Sequence, residues 1–253
     1  MTNAWPQSIL CWQSTWEQLA TRFSLIAYDM PGFGLSEGSA TSDGPESQAR
    51  FLLRLADQLK IENFYAIGPD VGAPAILRLA QLSPRIQGAA IFDGPGFANP
   101  HFALPLRLMA RFQFLRSFWR TRGPKFTELA VQSGYKKFRP QPAAIAEYTE
   151  ANAAPAHFAH SLNYIASYRR ELPVIGAALA DNQMPVLVAW GQQDDFVKVQ
   201  NAHELHARIP NASLRIFEDC GHFMQEDAGD EFVAAFVQWY AGLKRAGQVA
   251  VSS

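Results

Sequence analysis

The stretch Phe64–Ala80, FYAIGPDVGAPAILRLA, runs from an apolar strand-like segment through Gly68-Pro69-Asp70-Val71-Gly72 straight into helix. Other short apolar runs share its character: FSLIAYD, QGAAIFDG, PVLVAWG and SLRIFED, each bounded by Gly, Pro, Asn or Asp as strands are. Between them lie helix-like segments such as PESQARFLLRLADQLK, which opens with the first-turn residues Pro45 and Glu46. Strands alternating with helices predict an α/β chain, a mostly parallel sheet with helices on both faces. Ligands of such sheets gather at the carboxyl ends of the strands. Asp70, Asp194 and His222 each follow a predicted strand.

Between Phe97 and Asp181 the alternation stops, and the chain is helical in character and rich in Arg, Phe and Ala. The expected organisation is a first core part over 1–96, a helical lid over 97–181, a second core part over 182–245 and a tail over 246–253. At 253 residues, with 48% hydrophobic and 18% charged residues, the chain can bury a sizeable core. A formal net charge of -1 gives no general attraction to nucleic acid. Two cysteines, Cys11 and Cys220, suit a reducing compartment, and no run reaches the length of a membrane span. The opening lacks the layout of a signal peptide, so a cytoplasmic protein without membrane partners is expected.

Gly68 to Gly72 has the spacing of a nucleophile elbow with Asp where Ser usually stands. So sharp a turn strains the central residue and tolerates only small residues two positions either side. The helix amino end then faces the carboxylate and favours its ionised form. An ordinary capping Asp is the plainer reading of the pentapeptide alone. Asp194, in PVLVAWGQQDDFV, and His222, in SLRIFEDCGHFMQED, follow in the chain order nucleophile, acid, base.

With WPQS, YDMPGFGLSE, GPDVG, the helical stretch, WGQQDDFV and CGHF taken together, the chain resembles the α/β-hydrolase superfamily. Within it, the closest likeness is to the Asp-nucleophile branch of epoxide hydrolases and haloalkane dehalogenases. That resemblance implies Asp70 as nucleophile, His222 as base and Asp194 as the orienting acid, with Asp195 a surface neighbour. It implies Trp5 and Val71 as oxyanion N–H donors. It implies no metal and no organic cofactor, and a small apolar substrate with water as partners of a monomer or homodimer.

A carboxylate is already ionised at neutral pH, and its attack on a saturated carbon gives an alkyl ester that a base-activated water can cleave. Epoxides and alkyl halides suit this chemistry. Epoxide opening needs an acid, supplied in the family by lid tyrosines; Tyr168 and Tyr164 are the leading candidates, with Tyr135 and Tyr148 also available. Halide release needs N–H donors instead, and Trp119 is one candidate. Val71, where that branch often has Trp, and Trp5, in place of Asn, favour the epoxide over the haloalkane or haloacid alternative.

From Arg107 to Arg139 basic residues face a single acid, Glu128. The preferred reading is a solvated face with Phe112, Leu115 and Phe118 packing underneath; attraction to anionic substrates or a membrane surface is the alternative. His203, Glu204 and His206 lack the zinc-protease spacing, and His157 and His160 have no acidic partner beside them in sequence. Finally, the resemblance implies a central strand ahead of NAWP, which begins at Asn3, so N-terminal strands are expected to be missing. A truncated chain start, closure of the gap by neighbouring strands, or a second chain filling it all stay open. So does a non-catalytic protein on the same scaffold.

Overall fold

A computed structural model describes residues 1–39 and 43–251, with side chains through Arg245. Four strands, β1 (Phe64–Pro69), β2 (Ile86–Phe92), β3 (Val186–Gly191) and β4 (Ala212–Phe217), form one sheet in the order β1-β2-β3-β4, every pair parallel. The helices are α1 (Gln13–Ala20), α2 (Pro45–Gln58), α3 (Gly72–Leu82), α4 (Leu104–Arg111), α5 (Gln113–Trp119), α6 (Gly123–Gly134), α7 (Pro142–Ala151), α8 (Pro155–Ala177), α9 (Gln200–Arg208), α10 (Met224–Asp227) and α11 (Gly229–Val251).

Side chains alternate across the strands and so build two cores. Ala66, Ile91, Val186 and Val188 face α2, α3, α8 and α9, while Ile67, Ala90, Phe92, Leu187 and Ala189 face α1 and α11. With both faces covered, β3 is buried along its whole length, which is why VLVAWG reads as an unbroken apolar run. The five helices α4–α8 all lie between β2 and β3 in the chain. Val251 still belongs to α11, so the expected tail begins as helix; no proline interrupts the sequence there, and residues 252–253 lie outside the described part.

One expected strand does not form. Phe23–Asp29 contributes only a single bridge, Tyr28 to Thr2. The reason is the absence of a ladder partner between it and β1. Met1 and Thr2 alone occupy that position: Thr2 donates its N–H to the Ile67 carbonyl at 3.1 Å, and Tyr28 donates to the Met1 carbonyl at 3.2 Å. The amino group of Met1 donates to the Ile26 carbonyl at 2.7 Å. Beyond this rung the two walls stay apart, leaving a groove of about 440 Å³ lined by Phe23, Leu25, Ile26, Tyr65 and Ile67. Neighbouring strands therefore do not close the gap.

Candidate active site

The elbow is built as its spacing requires. Asp70 has φ +44°, a conformation few non-glycine residues adopt. A Cβ at position 68 would lie 2.4 Å from Ile76 Cδ1, and one at position 72 would lie 2.0 Å from Thr2 Oγ1. Only glycine fits either place. Asp70 itself is buried at the end of β1, with α3 beginning two residues on.

Two backbone N–H groups hold its carboxylate. Trp5 donates to Asp70 Oδ2 at 2.9 Å, and Val71 donates from the helix side. The loop that carries Trp5 is anchored by Asn3: its Oδ1 accepts from Met30 N at 2.9 Å, and its Nδ2 donates to the Ala4 and Gln7 carbonyls. His222 Nε2 lies 3.8 Å from Asp70 Oδ1, and His222 Nδ1 lies 2.9 Å from Asp194 Oδ2. The other Asp194 oxygen accepts from Phe196 N at 2.7 Å and Val197 N at 2.9 Å, so the carboxylate is fixed on both sides. Asp195 instead pairs with Lys136 and Lys198 in solvent.

Burial raises Asp70 to about 6, against the opposing charge of His222 and the two N–H groups. Burial disfavours the His222 cation, but the charge and hydrogen bond of Asp194, with Asp70 beside it, outweigh this and raise the imidazole to about 9. The pair therefore rests as carboxylate and imidazolium at neutral pH.

The pocket above Asp70 holds about 210 Å³. Trp5, Phe102, Leu106, Met109, Trp119 and Tyr168 are among its lining residues, alongside Asp70 and His222, and no Lys or Arg among the described residues lines it. The Tyr168 hydroxyl and the Trp5 indole N–H are buried without a partner. Buried donors normally have one, so both are poised for a guest in the pocket. Tyr164 is placed differently: its hydroxyl donates to the Val71 carbonyl at 2.6 Å and it does not line the pocket. Tyr135 is bonded to Glu226, and Tyr148 is buried outside the pocket.

Sequence reading missed Asp93. It is fully buried, has φ +53°, and follows β2, the strand between those that lead to Asp70 and Asp194. Its oxygens accept from Gly191 N and Met224 N, each at 3.3 Å, tying β3 to the loop of His222. Burial, then the Asp194 charge, pushes its carboxyl well above the usual range. The available signal was an Asp ending the strand next to that of Asp70. Missed likewise was the buried Glu226, raised to about 7 by burial, which accepts from Gln7 at 2.6 Å and so braces the Trp5 loop. His160 has an acidic neighbour after all: Asp43 lies 3.0 Å from its Nδ1, brought in from a distant part of the chain.

An alpha/beta hydrolase fold family matches residues 2–229. The chain belongs to that family. This hydrolase is 27% identical over 221 residues to the 2-hydroxy-6-oxononadienedioate/2-hydroxy-6-oxononatrienedioate hydrolase 2 of Pseudomonas putida, a match covering 85% of this chain and 76% of that protein. Among solved structures, the 2-hydroxy-6-oxo-6-phenylhexa-2,4-dienoate hydrolase of Rhodococcus sp. strain RHA1 has a TM-score of 0.79 at 20% identity, covering 95% of this chain and 88% of that one. Epoxide hydrolase CorEH has a TM-score of 0.74 at 22% identity, covering 96% and 90%. The structural likenesses agree with the family match on the fold.

Proposed function

We propose that this hydrolase opens a small apolar epoxide through a covalent ester on Asp70, with α4–α8 acting as a lid over the reaction. The observation that carries the reading is a carboxylate at the elbow facing an unpartnered phenol, Tyr168, across an apolar pocket. Asp70 attacks an epoxide carbon; the C–O bond breaks as Tyr168 gives its proton to the departing oxygen. Esterification removes the Asp70 charge, one of the influences that held His222 protonated. The imidazolium then loses its proton more readily, by way of solvent, to the phenolate left on Tyr168, and the neutral imidazole takes one from water. That water adds to the Asp70 carbonyl carbon, the Trp5 and Val71 N–H groups hold the oxyanion, and collapse frees the diol.

An acyl carbon suits Asp70 less well, because attack there gives an anhydride. Nor does a Lys or Arg among the described residues line the pocket to pair with a dioate of the kind named for the Pseudomonas relative, and the His222 charge already faces Asp70 and Asp194. The same absence weighs against haloacids. A cavity of about 150 Å³ already accommodates benzene, so a pocket of about 210 Å³ suits a small aromatic or branched epoxide.

Haloalkane dehalogenation is the second reading, favoured by the unpartnered Trp5 indole N–H and by Trp119 in the same pocket. A single turnover in isotopically heavy water tests the ester route: the oxygen of the first product should come unlabelled from Asp70. Solvent label in that first product would replace the ester with direct attack by water. Diol from styrene oxide against halide from haloalkanes then ranks the two leaving groups.

A further inference from the structure

The outward face of α4–α6 differs from an ordinary solvated surface. Sequence patterning puts Phe112 and Phe118 beneath amphipathic helices; instead Phe118 is 51% exposed, with Phe112 also facing out. Phe114 is 67% exposed and Leu104 55%. Phe112 and Phe114 pack together, ring centres 5.7 Å apart. Scattered apolar residues on a surface are unremarkable, but a group shared by consecutive helices marks an interaction face. Leu129 of α6 is also half-exposed and lines the Asp70 pocket, so exposed apolar surface of these helices reaches the pocket mouth. Rings connect it inward, from Phe118 to Trp119 at 5.4 Å, to Phe126 at 5.5 Å and to Trp5 at 4.5 Å.

Charge selects the partner. Leu104 to Leu129 holds six cations and one acid, Glu128, which pairs with Lys125. Among the described residues, Arg107, Arg111, Arg120 and Arg122 have no carboxylate partner, and the next ion pairs along the chain, Lys136–Asp195 and Lys137–Glu231, lie beyond this segment. Arg122 lies over the Phe118 ring at 4.1 Å and Arg111 over Phe112 at 5.5 Å, so positive charge and apolar rings are interleaved. A second copy of this chain would bring the same positive face against itself, which repels. A layer of anionic headgroups above hydrocarbon satisfies both features at once.

We propose that the α4–α6 face docks on an anionic lipid surface, setting the pocket mouth against the layer in which an apolar substrate dissolves. Contact is peripheral, since no helix of the described residues is long and apolar enough to cross a membrane.

Flotation of the full chain with vesicles tests this. Binding is expected to an equal mixture of phosphatidylcholine and phosphatidylglycerol, weakly or not at all to phosphatidylcholine alone, and to fade at high salt. Replacing Arg107→Gln and Arg111→Gln together should cut partition about 25-fold, about fivefold for each charge. Phe114→Ser with Leu104→Ser should also release the protein, with its melting temperature and its turnover of a water-soluble substrate unchanged. Asp70→Asn protein should float like the wild type, which separates this result from the catalytic reading. No flotation with the mixed vesicles would overturn the proposal. So would equal flotation by the Phe114 and Leu104 variant, or a wild-type dimer that Phe114→Ser converts to monomer.

Discussion

The floor and the roof of the pocket solve different problems. On the floor, both oxygens of Asp194 and of Asp93 accept hydrogen bonds, and the Asp70 carboxylate receives two N–H groups. Strand ends and tight turns hold each group in place. The roof contributes Met109, Trp119 and Leu106, with one free phenol, and its outer face leaves phenylalanines in solvent. A floor of saturated polar contacts fixes reacting atoms within fractions of an ångström. A roof whose pocket face makes mostly apolar contacts can change shape around a guest and carry a second role on its outer side.

Substitutions should separate the two regions by size of effect. Largest is Asp70→Asn, which should lower turnover by about 10⁴-fold or more; its companion His222→Gln should trap the ester, read as added mass on the intact protein. A His222→Gln enzyme that never carries an adduct, while the wild type turns over, would remove the covalent step. Next, Tyr168→Phe should reduce epoxide opening by about 10²–10⁴-fold while sparing any halide release; equal loss in both would make Tyr168 a packing residue. Asp93→Ala should cost about 1–3 kcal/mol for each N–H left buried without a partner, measured by urea denaturation. An unchanged midpoint would break the contrast between floor and roof.

Smaller still is the pH effect. Asp70 is raised to about 6 by burial, so the reactive anion is present above that pH and lost below it. On the acid side kcat/KM should fall about tenfold per pH unit, and a limb near pH 4 instead would mean that Asp70 is better hydrated than its burial implies. Smallest is Phe114→Ser, at 67% exposure expected to shift stability by no more than about 0.5 kcal/mol. A larger loss would show that the roof's outer face is part of the core.

Much of the fold could be read along the chain because the signals are local. Four apolar runs became the four strands; β3, buried on both faces, is apolar throughout, while the edge strand β4 alternates with exposed Ser213 and Arg215. Phe23–Asp29 has the same composition and failed to join the ladder, because a strand exists only through its neighbours' hydrogen bonds. Asp70, Asp194 and His222 were visible as polar residues at strand ends. Asp93 stood in the same kind of position and went unread because its partners, Gly191 and Met224, are about a hundred residues or more away. Tyr164 and Tyr168 sit one helical turn apart and looked equivalent. Only packing sends one hydroxyl to the Val71 carbonyl and leaves the other facing the pocket.

By itself, then, the sequence determined the parallel α/β layout, the strained turn that admits only glycine around Asp70, and the order of the three polar strand ends. Those depend on backbone sterics and on periodic burial, which act between near neighbours. Tertiary structure alone decided which donors are left free in the pocket, the tie Asp93 makes between two strands, and the outward aim of Phe114 and Phe118. Each of these is set by what distant segments bring alongside, and no local pattern encodes that.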